Sequence, residues 1–72
     1  MYAITEKESG QWVSEECVNQ REWKNGQPGY SHYTRFFPKA AVFHDEEDAA
    51  EAMKDLLKRF EGRDFKVEKL GA

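Results

Sequence analysis

The feature that most constrains the fold is a helix-forming stretch in the second half of the chain. Apolar side chains recur there at intervals of three and four residues, which places them on one face of an α-helix. These side chains are Ala49, Met53, Leu56, Leu57 and Phe60. Acidic residues begin this stretch and basic residues end it, an order that complements the helix dipole. Asp45 is the predicted N-cap and Gly62 the predicted stop. A helix with one apolar face needs a second layer of structure to cover it.

Four other segments have the composition or the alternation of β-strands. They are residues 2–7, 11–14, 30–37 and 65–70. The first two are joined by Glu8–Gly10, where glycine allows the positive φ of a tight hairpin turn. We expect the second strand to continue at Cys17–Val18, after a bulge or a sheet edge at the charged pair Glu15–Glu16.

Alternation in the third strand places its residues on two faces, and Pro38 ends it. One predicted face carries Tyr30, His32, Thr34 and Phe36, and the other carries Ser31, Tyr33, Arg35 and Phe37. Because both faces mix aromatic and polar side chains, we expect contacts on both sides of this strand.

The order of these segments predicts an α+β protein, ββ(β)αβ, with a single domain spanning residues 1–72. A small antiparallel sheet of three to four strands would carry one amphipathic helix on one face. A chain of this length buries only roughly 60% of its surface on folding. Its one cysteine, Cys17, cannot form an internal disulfide, which is typical of a reducing cytoplasm. We therefore expect the chain to gain stability as a homo-oligomer, most simply a homodimer.

Composition argues against several classes of protein. No apolar run approaches the ~18 residues of a membrane span, so we expect no membrane partner. A net charge of −3 argues against a strongly basic DNA-coating protein. A chain this short has little room for a buried catalytic cleft, and no glycine-rich phosphate-binding motif is present. We expect no enzyme activity.

The side chains that ligate metals or act as nucleophiles are few and scattered. Cys17, His32 and His44 lie in separate segments without metal-ligand spacing. The acidic run 45–48 lacks the glycine-containing loop of a calcium site. Nothing in the sequence activates the Cys17 thiol or supplies an orienting acid for a histidine base. We expect neither a metal nor another cofactor.

The stretch 21–35 combines aromatic and basic side chains. Its candidate binding residues are Arg21, Trp23, Lys24, Tyr30, His32, Tyr33 and Arg35. Flat rings next to guanidinium groups can stack on bases and pair with phosphates. The same residue types dominate protein–protein hot spots. Three interpretations stay open: packing in the core or in a dimer interface, a surface for a protein partner, and a site for a nucleotide or nucleic acid.

Three stretches carry a resemblance to known proteins. They are Tyr2–Ile4, the Ser9–Gly10 turn before Trp12–Val13, and residues 41–49, in which a polar run leads into the helix. In these stretches the chain resembles small phage and prophage proteins, a group that includes anti-CRISPR and other anti-defence proteins.

The resemblance implies a phage-encoded origin, and with it a non-enzymatic inhibitor of a host defence system. Such a protein would act stoichiometrically in the host cytoplasm, with the Trp23–Arg35 region occluding a surface of a host defence protein. Two alternatives to this inhibitor stay open. One is an oligomer that sequesters a nucleotide second messenger, and the other is a small structural or regulatory phage module.

Overall fold

A computed structural model describes residues 1–19 and 32–71. The described elements are strands β1 (Tyr2–Glu6) and β2 (Trp12–Val13), helix α1 (Glu15–Asn19), strand β3 (Tyr33–Thr34), a 3₁₀ turn (Phe37–Lys39), strand β4 (Val42–Phe43), helix α2 (Glu46–Arg59) and strand β5 (Phe65–Lys69). The sheet is antiparallel and α2 is the main helix, so the predicted α+β class is confirmed. Within the described residues, no helix is long and apolar enough to cross a membrane.

Strand β1 is the centre of the sheet and pairs with three other strands. β5 pairs along the whole of β1, with Ile4 opposite Val67. On the other edge of β1, β2 pairs at Thr5 and β4 pairs at Tyr2–Ala3, so these two short strands share that edge. β3 extends the sheet beyond β2.

Helix α2 packs on one face of this sheet, against β1, β4 and β5. The buried cluster between the two layers consists of Ile4, Val13, Cys17, Leu56 and Phe65. Met53 and Phe60 of the predicted apolar stripe pack against this cluster. Leu57 is 39% exposed, so its assignment to the buried stripe was wrong. Neighbouring helical residues are separated by about 100°, and the burial of Leu56 turns Leu57 toward solvent.

Both ends of α2 lie where the sequence predicted them. Asp45 has extended backbone (φ −111°, ψ 145°) directly before the first helical residue, although its carboxylate makes no capping hydrogen bond. At the other end, the N–H of Phe60 donates to the carbonyl of Leu56 (2.9 Å). Gly62 then adopts φ +84°, the left-handed conformation that favours glycine and ends helices.

The segment after β2 is helical, so the predicted continuation of this strand at Cys17–Val18 is wrong. Ser14 begins helix α1. Its hydroxyl accepts the N–H of Cys17 (3.1 Å), and its carbonyl accepts the N–H of Val18 (3.2 Å). A serine that satisfies an amide of the first turn is a favoured N-cap. The two glutamates that follow lie in the first turn, where negative charge is favourable.

The predicted strand 30–37 begins outside the described residues, and in its described part, residues 32–37, only Tyr33–Thr34 are extended as β3. The hydroxyl of Thr34 accepts the N–H of Phe36 (3.0 Å), and Pro38 follows in the 3₁₀ turn. The alternation predicted for this strand also fails in the described part. His32 precedes β3, and its ring contacts Phe60 on the same side as the ring of Tyr33.

Candidate binding surface

The structure describes three of the seven predicted binding residues. Two of them, His32 and Tyr33, are partly buried, and Arg35 is exposed. The other four, Arg21, Trp23, Lys24 and Tyr30, lie outside the described residues. Binding by this set as a whole therefore stays a prediction.

The rings of His32 and Tyr33 lie against the C-terminal end of α2. The centroid of the His32 ring is 4.7 Å from that of Phe60, at an interplanar angle of 69°. The Tyr33 ring is 6.4 Å from Phe60 and 6.3 Å from Phe65. These edge-to-face and tilted contacts are the arrangements that aromatic pairs prefer. They favour the interpretation that these two residues pack at the border of the core.

The fold brings together Cys17 and His32, which the sequence places in separate segments. Cys17 Sγ lies 3.9 Å from His32 Nδ1, and Arg59 Nη1 donates to the Cys17 carbonyl (2.9 Å). Burial, and then the charge of Arg59, lower the pKa of His32 below its usual value of 6.5. Cys17 is fully buried. Because a reactive thiol must be accessible to its substrate, this geometry indicates packing and not nucleophilic chemistry. The described residues contain no cluster of three or more His, Cys, Asp or Glu side chains that could hold a metal ion.

Glu6, at the end of β1, has a buried carboxylate that no sequence motif indicates. Its Oε2 accepts the N–H of Glu8 (2.7 Å), and its Oε1 accepts the N–H of Ser9 (2.8 Å). Burial alone would raise the pKa of Glu6. The hydrogen bonds from Ser9 and Glu8 and the nearby charge of Arg63 outweigh burial and hold this pKa below 4.5. The alternation of β1 is the one sequence pattern that indicates this burial, because Glu6 lies two residues after the buried Ile4 and so shares its face.

The face of the sheet opposite α2 carries a different set of side chains. Since Ile4 points toward α2, alternation places Ala3 and Thr5 on the other face, which we call the open face. Residues directly opposite each other in neighbouring strands share a face. The open face therefore includes the partners of Ala3 and Thr5, namely Trp12, Val42, Lys66 and Glu68.

Exposed apolar side chains are concentrated at one end of the open face. Met1 is 56% exposed, Phe37 39% and Val42 41%. Together with Leu70 and Gly71 they line a shallow groove of about 750 Å³. We call Met1, Phe37, Val42 and Leu70 the open-face patch. No periodic pattern in the sequence indicates this patch, because its four residues come from four separate segments.

Aromatic and basic residues adjoin Phe37 of the open-face patch, by ring contact or along the chain, and we call them its border. The ring of Phe37 meets that of Trp12 edge-on, with centroids 5.1 Å apart and an interplanar angle of 70°. Phe36 is 59% exposed, and the exposed Arg35 and Lys39 flank the two phenylalanines in sequence. Residues 32–43 contain no aspartate or glutamate, although the whole chain has a net charge of −3. This border is therefore locally basic.

Comparison with models of protein families, with curated proteins and with solved structures finds no match for the chain. These comparisons therefore do not link the chain to the phage and prophage proteins that its sequence resembles. The open-face patch and its charged border are the features from which a function can be argued.

Proposed function

We propose that this protein binds a partner protein without catalysis, by covering an apolar and acid-bordered surface of the partner with its open-face patch. The observation that carries this proposal is that side chains of Met1, Phe37 and Val42, each about 40–60% exposed, meet around one groove. Contiguous exposed apolar surface on a small protein marks an interaction site, whereas single exposed apolar residues are ordinary.

The apolar area is large enough to contribute to binding. If a phenylalanine has ~200 Å² of side-chain surface, the exposed fraction of 39% for Phe37 corresponds to roughly 80 Å². Covering this ring at ~25 cal/mol/Å² contributes about 2 kcal/mol before the costs of association. A micromolar complex needs about 8 kcal/mol in total. Phe37 therefore supplies part of the binding energy, Met1, Val42 and Leu70 add further apolar area, and the basic border adds steering and selectivity.

Inhibition of a host defence protein is the specific form of this proposal that the sequence resemblance implies. The open-face patch would then occlude the surface through which that protein meets its own target, one inhibitor per target. The nucleotide alternative uses the candidate residues of the stretch 21–35, of which the structure describes His32, Tyr33 and Arg35. It is less favoured because the rings of His32 and Tyr33 contact Phe60. Packing against Phe60 leaves less of each ring for stacking on a base.

The test compares a patch variant with a matched control. The variant Phe37→Ser/Val42→Thr removes apolar surface from the patch and keeps a β-branched residue in β4. The control Leu57→Ser removes a side chain on α2 that is as exposed as Phe37, at 39%. Each immobilised protein is exposed to a bacterial lysate, and retained proteins are quantified by mass spectrometry. Proteins that depend on the patch are then purified and titrated against all three chains at low and high salt.

We expect a purified partner to bind the wild type and Leu57→Ser alike, and to bind the patch variant at least about tenfold more weakly. Higher salt should weaken wild-type binding, because Arg35 and Lys39 border the contact. Circular dichroism checks that all three chains are folded. Equal binding by the patch variant, or the absence of any protein that distinguishes it from the control, contradicts the proposal. If the partner is a host defence protein, cells that carry the defence system and express the wild type should give more phage plaques than cells that express the patch variant.

A further inference from the structure

Strand β5 lies at an edge of the described sheet. β1 pairs with one side of β5, and no described strand pairs with the other side. An edge strand presents N–H and C=O groups that another chain can pair with. In β5, the N–H and C=O groups of every second residue point away from β1.

The hydrogen bonds at the ends of β5 show which residues turn their backbone groups toward β1. The N–H of Lys7 donates to the carbonyl of Asp64 (2.9 Å), and the N–H of Leu70 donates to the carbonyl of Met1 (2.8 Å). In an antiparallel ladder, hydrogen-bonded and non-hydrogen-bonded pairs alternate. Asp64, Lys66, Glu68 and Leu70 therefore bond to β1. The outer edge of β5 consists of the N–H and C=O groups of the alternate residues, Phe65, Val67 and Lys69.

We propose that β5 pairs with β5 of a second copy of this chain, antiparallel, about a twofold axis at Val67. The two sheets then form one continuous sheet. Hydrogen bonds between the two strands need residues whose N–H and C=O groups point away from β1 to lie opposite each other. Val67 therefore lies opposite Val67 of the partner subunit. In the same register Phe65 lies opposite Lys69 of the partner subunit, and both are again outward residues.

The charges on the open face select this register. Lys66 lies opposite the partner's Glu68, and Glu68 lies opposite the partner's Lys66. Both are non-hydrogen-bonded pairs, in which side chains are closest. The nearest alternatives that keep the backbone bonds shift the partner strand by two residues. One alternative brings Lys66 against the partner's Lys66, and the other brings Glu68 against the partner's Glu68. Only the register centred on Val67 pairs opposite charges on both sides of the axis.

The two lysines of β5, Lys66 and Lys69, would ordinarily protect the edge from pairing, because an unpaired charge opposes a second strand. In the proposed register Lys69 lies opposite Phe65 of the partner subunit, and on the open face Lys66 meets a carboxylate, that of the partner's Glu68. The two side chains already lie within reach of each other, since Lys66 Nζ is 3.5 Å from Glu68 Oε1 in the same strand. They are 62% and 37% exposed, so the second copy can reach both. The proposal does not depend on the open-face patch or on the proposed function.

The experiment measures oligomeric state by sedimentation velocity over a range of protein concentrations. Lys66→Glu and Glu68→Lys are made separately, so that each chain carries two like charges on the open face of β5. The exchange variant Lys66→Glu/Glu68→Lys restores complementary pairs in the same register. Lys58→Glu is the matched control, because it makes the same charge change at an exposed residue of α2. Circular dichroism checks the fold of every variant.

We expect the wild type, Lys58→Glu and the exchange variant to dimerise with similar dissociation constants. Each single reversal should weaken dimerisation at least about tenfold, because two favourable cross-strand pairs become repulsive. Mixing the two single variants should restore dimers, since each then supplies the charge that the other needs. A patch variant, Phe37→Ser/Val42→Thr, should dimerise like the wild type, which separates this proposal from the proposed function. A monomeric wild type, unchanged dimerisation of the single reversals, or a mixture that stays monomeric overturns the proposal.

Discussion

The carboxylate of Glu6 organises the turn between β1 and β2, and replacing it with glutamine tests that role. Glutamine has nearly the same shape, but only one of its two terminal atoms accepts a hydrogen bond. In the wild type, both carboxylate oxygens accept backbone N–H groups, from Glu8 at 2.7 Å and from Ser9 at 2.8 Å. In Glu6→Gln, one of these amides loses its acceptor and faces an NH₂ group instead.

The expected loss of stability follows from these two hydrogen bonds. A hydrogen bond to a charged group contributes about 1.5–3 kcal/mol, and a buried donor without an acceptor costs about 1–3 kcal/mol. The Glu6 side chain is buried, but its donors belong to the exposed residues Glu8 and Ser9, so water can partly solvate the amide that loses its acceptor. We expect the free energy of unfolding to fall by about 1.5–3 kcal/mol. For a domain of this size, each kcal/mol lowers the Tm by about 4–8 °C, so the Tm should fall by roughly 6 °C or more.

The measurement is urea and thermal unfolding at neutral pH, followed by circular dichroism. Glu8→Gln is the matched control. The Glu8 side chain is 77% exposed and contacts Arg63 at 2.9 Å, and an exposed ion pair contributes about 0–1 kcal/mol. The control keeps the backbone N–H of residue 8, so the hydrogen bond to Glu6 remains. Only the Glu6 variant should show a large loss.

The pH dependence gives a second result with a definite sign. The pKa of Glu6 in the folded protein lies below its ordinary value of 4.5, so the unfolded state binds the proton more readily. The stability from the ionised carboxylate is therefore fully present above the unfolded pKa, and it is lost as the pH falls through the folded pKa. The gap in stability between wild type and Glu6→Gln should shrink in that acidic range.

Two outcomes would refute this reasoning about Glu6. One is a variant whose free energy of unfolding lies within about 0.5 kcal/mol of the wild type, the range of ordinary surface substitutions. The other is a stability gap that widens as the pH falls below 4.5, which would mean that burial dominates the pKa of this carboxyl.

Two further predictions concern the core. Leu56→Ala removes a side chain that is 1% exposed and should lower the free energy of unfolding by about 2–5 kcal/mol in chemical unfolding. Leu57 is 39% exposed, so Leu57→Ala should lower it by about 1 kcal/mol or less. Similar losses for both variants would contradict the assignment of Leu56 to the core face of α2. The pKa of His32 is lowered by burial and by Arg59, so the Tm of the wild type should fall as the pH drops through the unfolded value of 6.5. This component should disappear in His32→Gln and persist in the control His44→Gln, and a decline of equal size in all three chains would count against it.

Much of the architecture could be predicted because it depends on local chemistry. The apolar stripe and the charge order of α2 lie within one segment, and so does the glycine that adopts positive φ at its end. The alternation in β1 and β5 is equally local. These elements are long enough for periodicity to identify them, and their type was predicted correctly.

The candidate surfaces could not be predicted in the same way. The open-face patch brings together residues 1, 37, 42 and 70, which no local pattern relates. The aromatic and basic stretch 21–35 drew attention because its composition is distinctive. In its described part, His32 and Tyr33 are occupied with packing against α2. Composition identifies residue types that bind well, but burial decides which of them face solvent.

Hydrogen bonding and apolar spacing within single segments specify the α+β class, the position of α2 and the hairpin around Gly10. The other features depend on contacts between segments. Strands of two residues, such as β3 and β4, exist only through their pairing with distant strands. Residues 15–19 became a helix because Ser14 caps them at the point where the chain leaves the sheet. Helix α2 covers the face of β1 that carries Glu6, which buries its carboxylate and leaves the open-face patch exposed. The packing of the whole chain determines which face α2 covers.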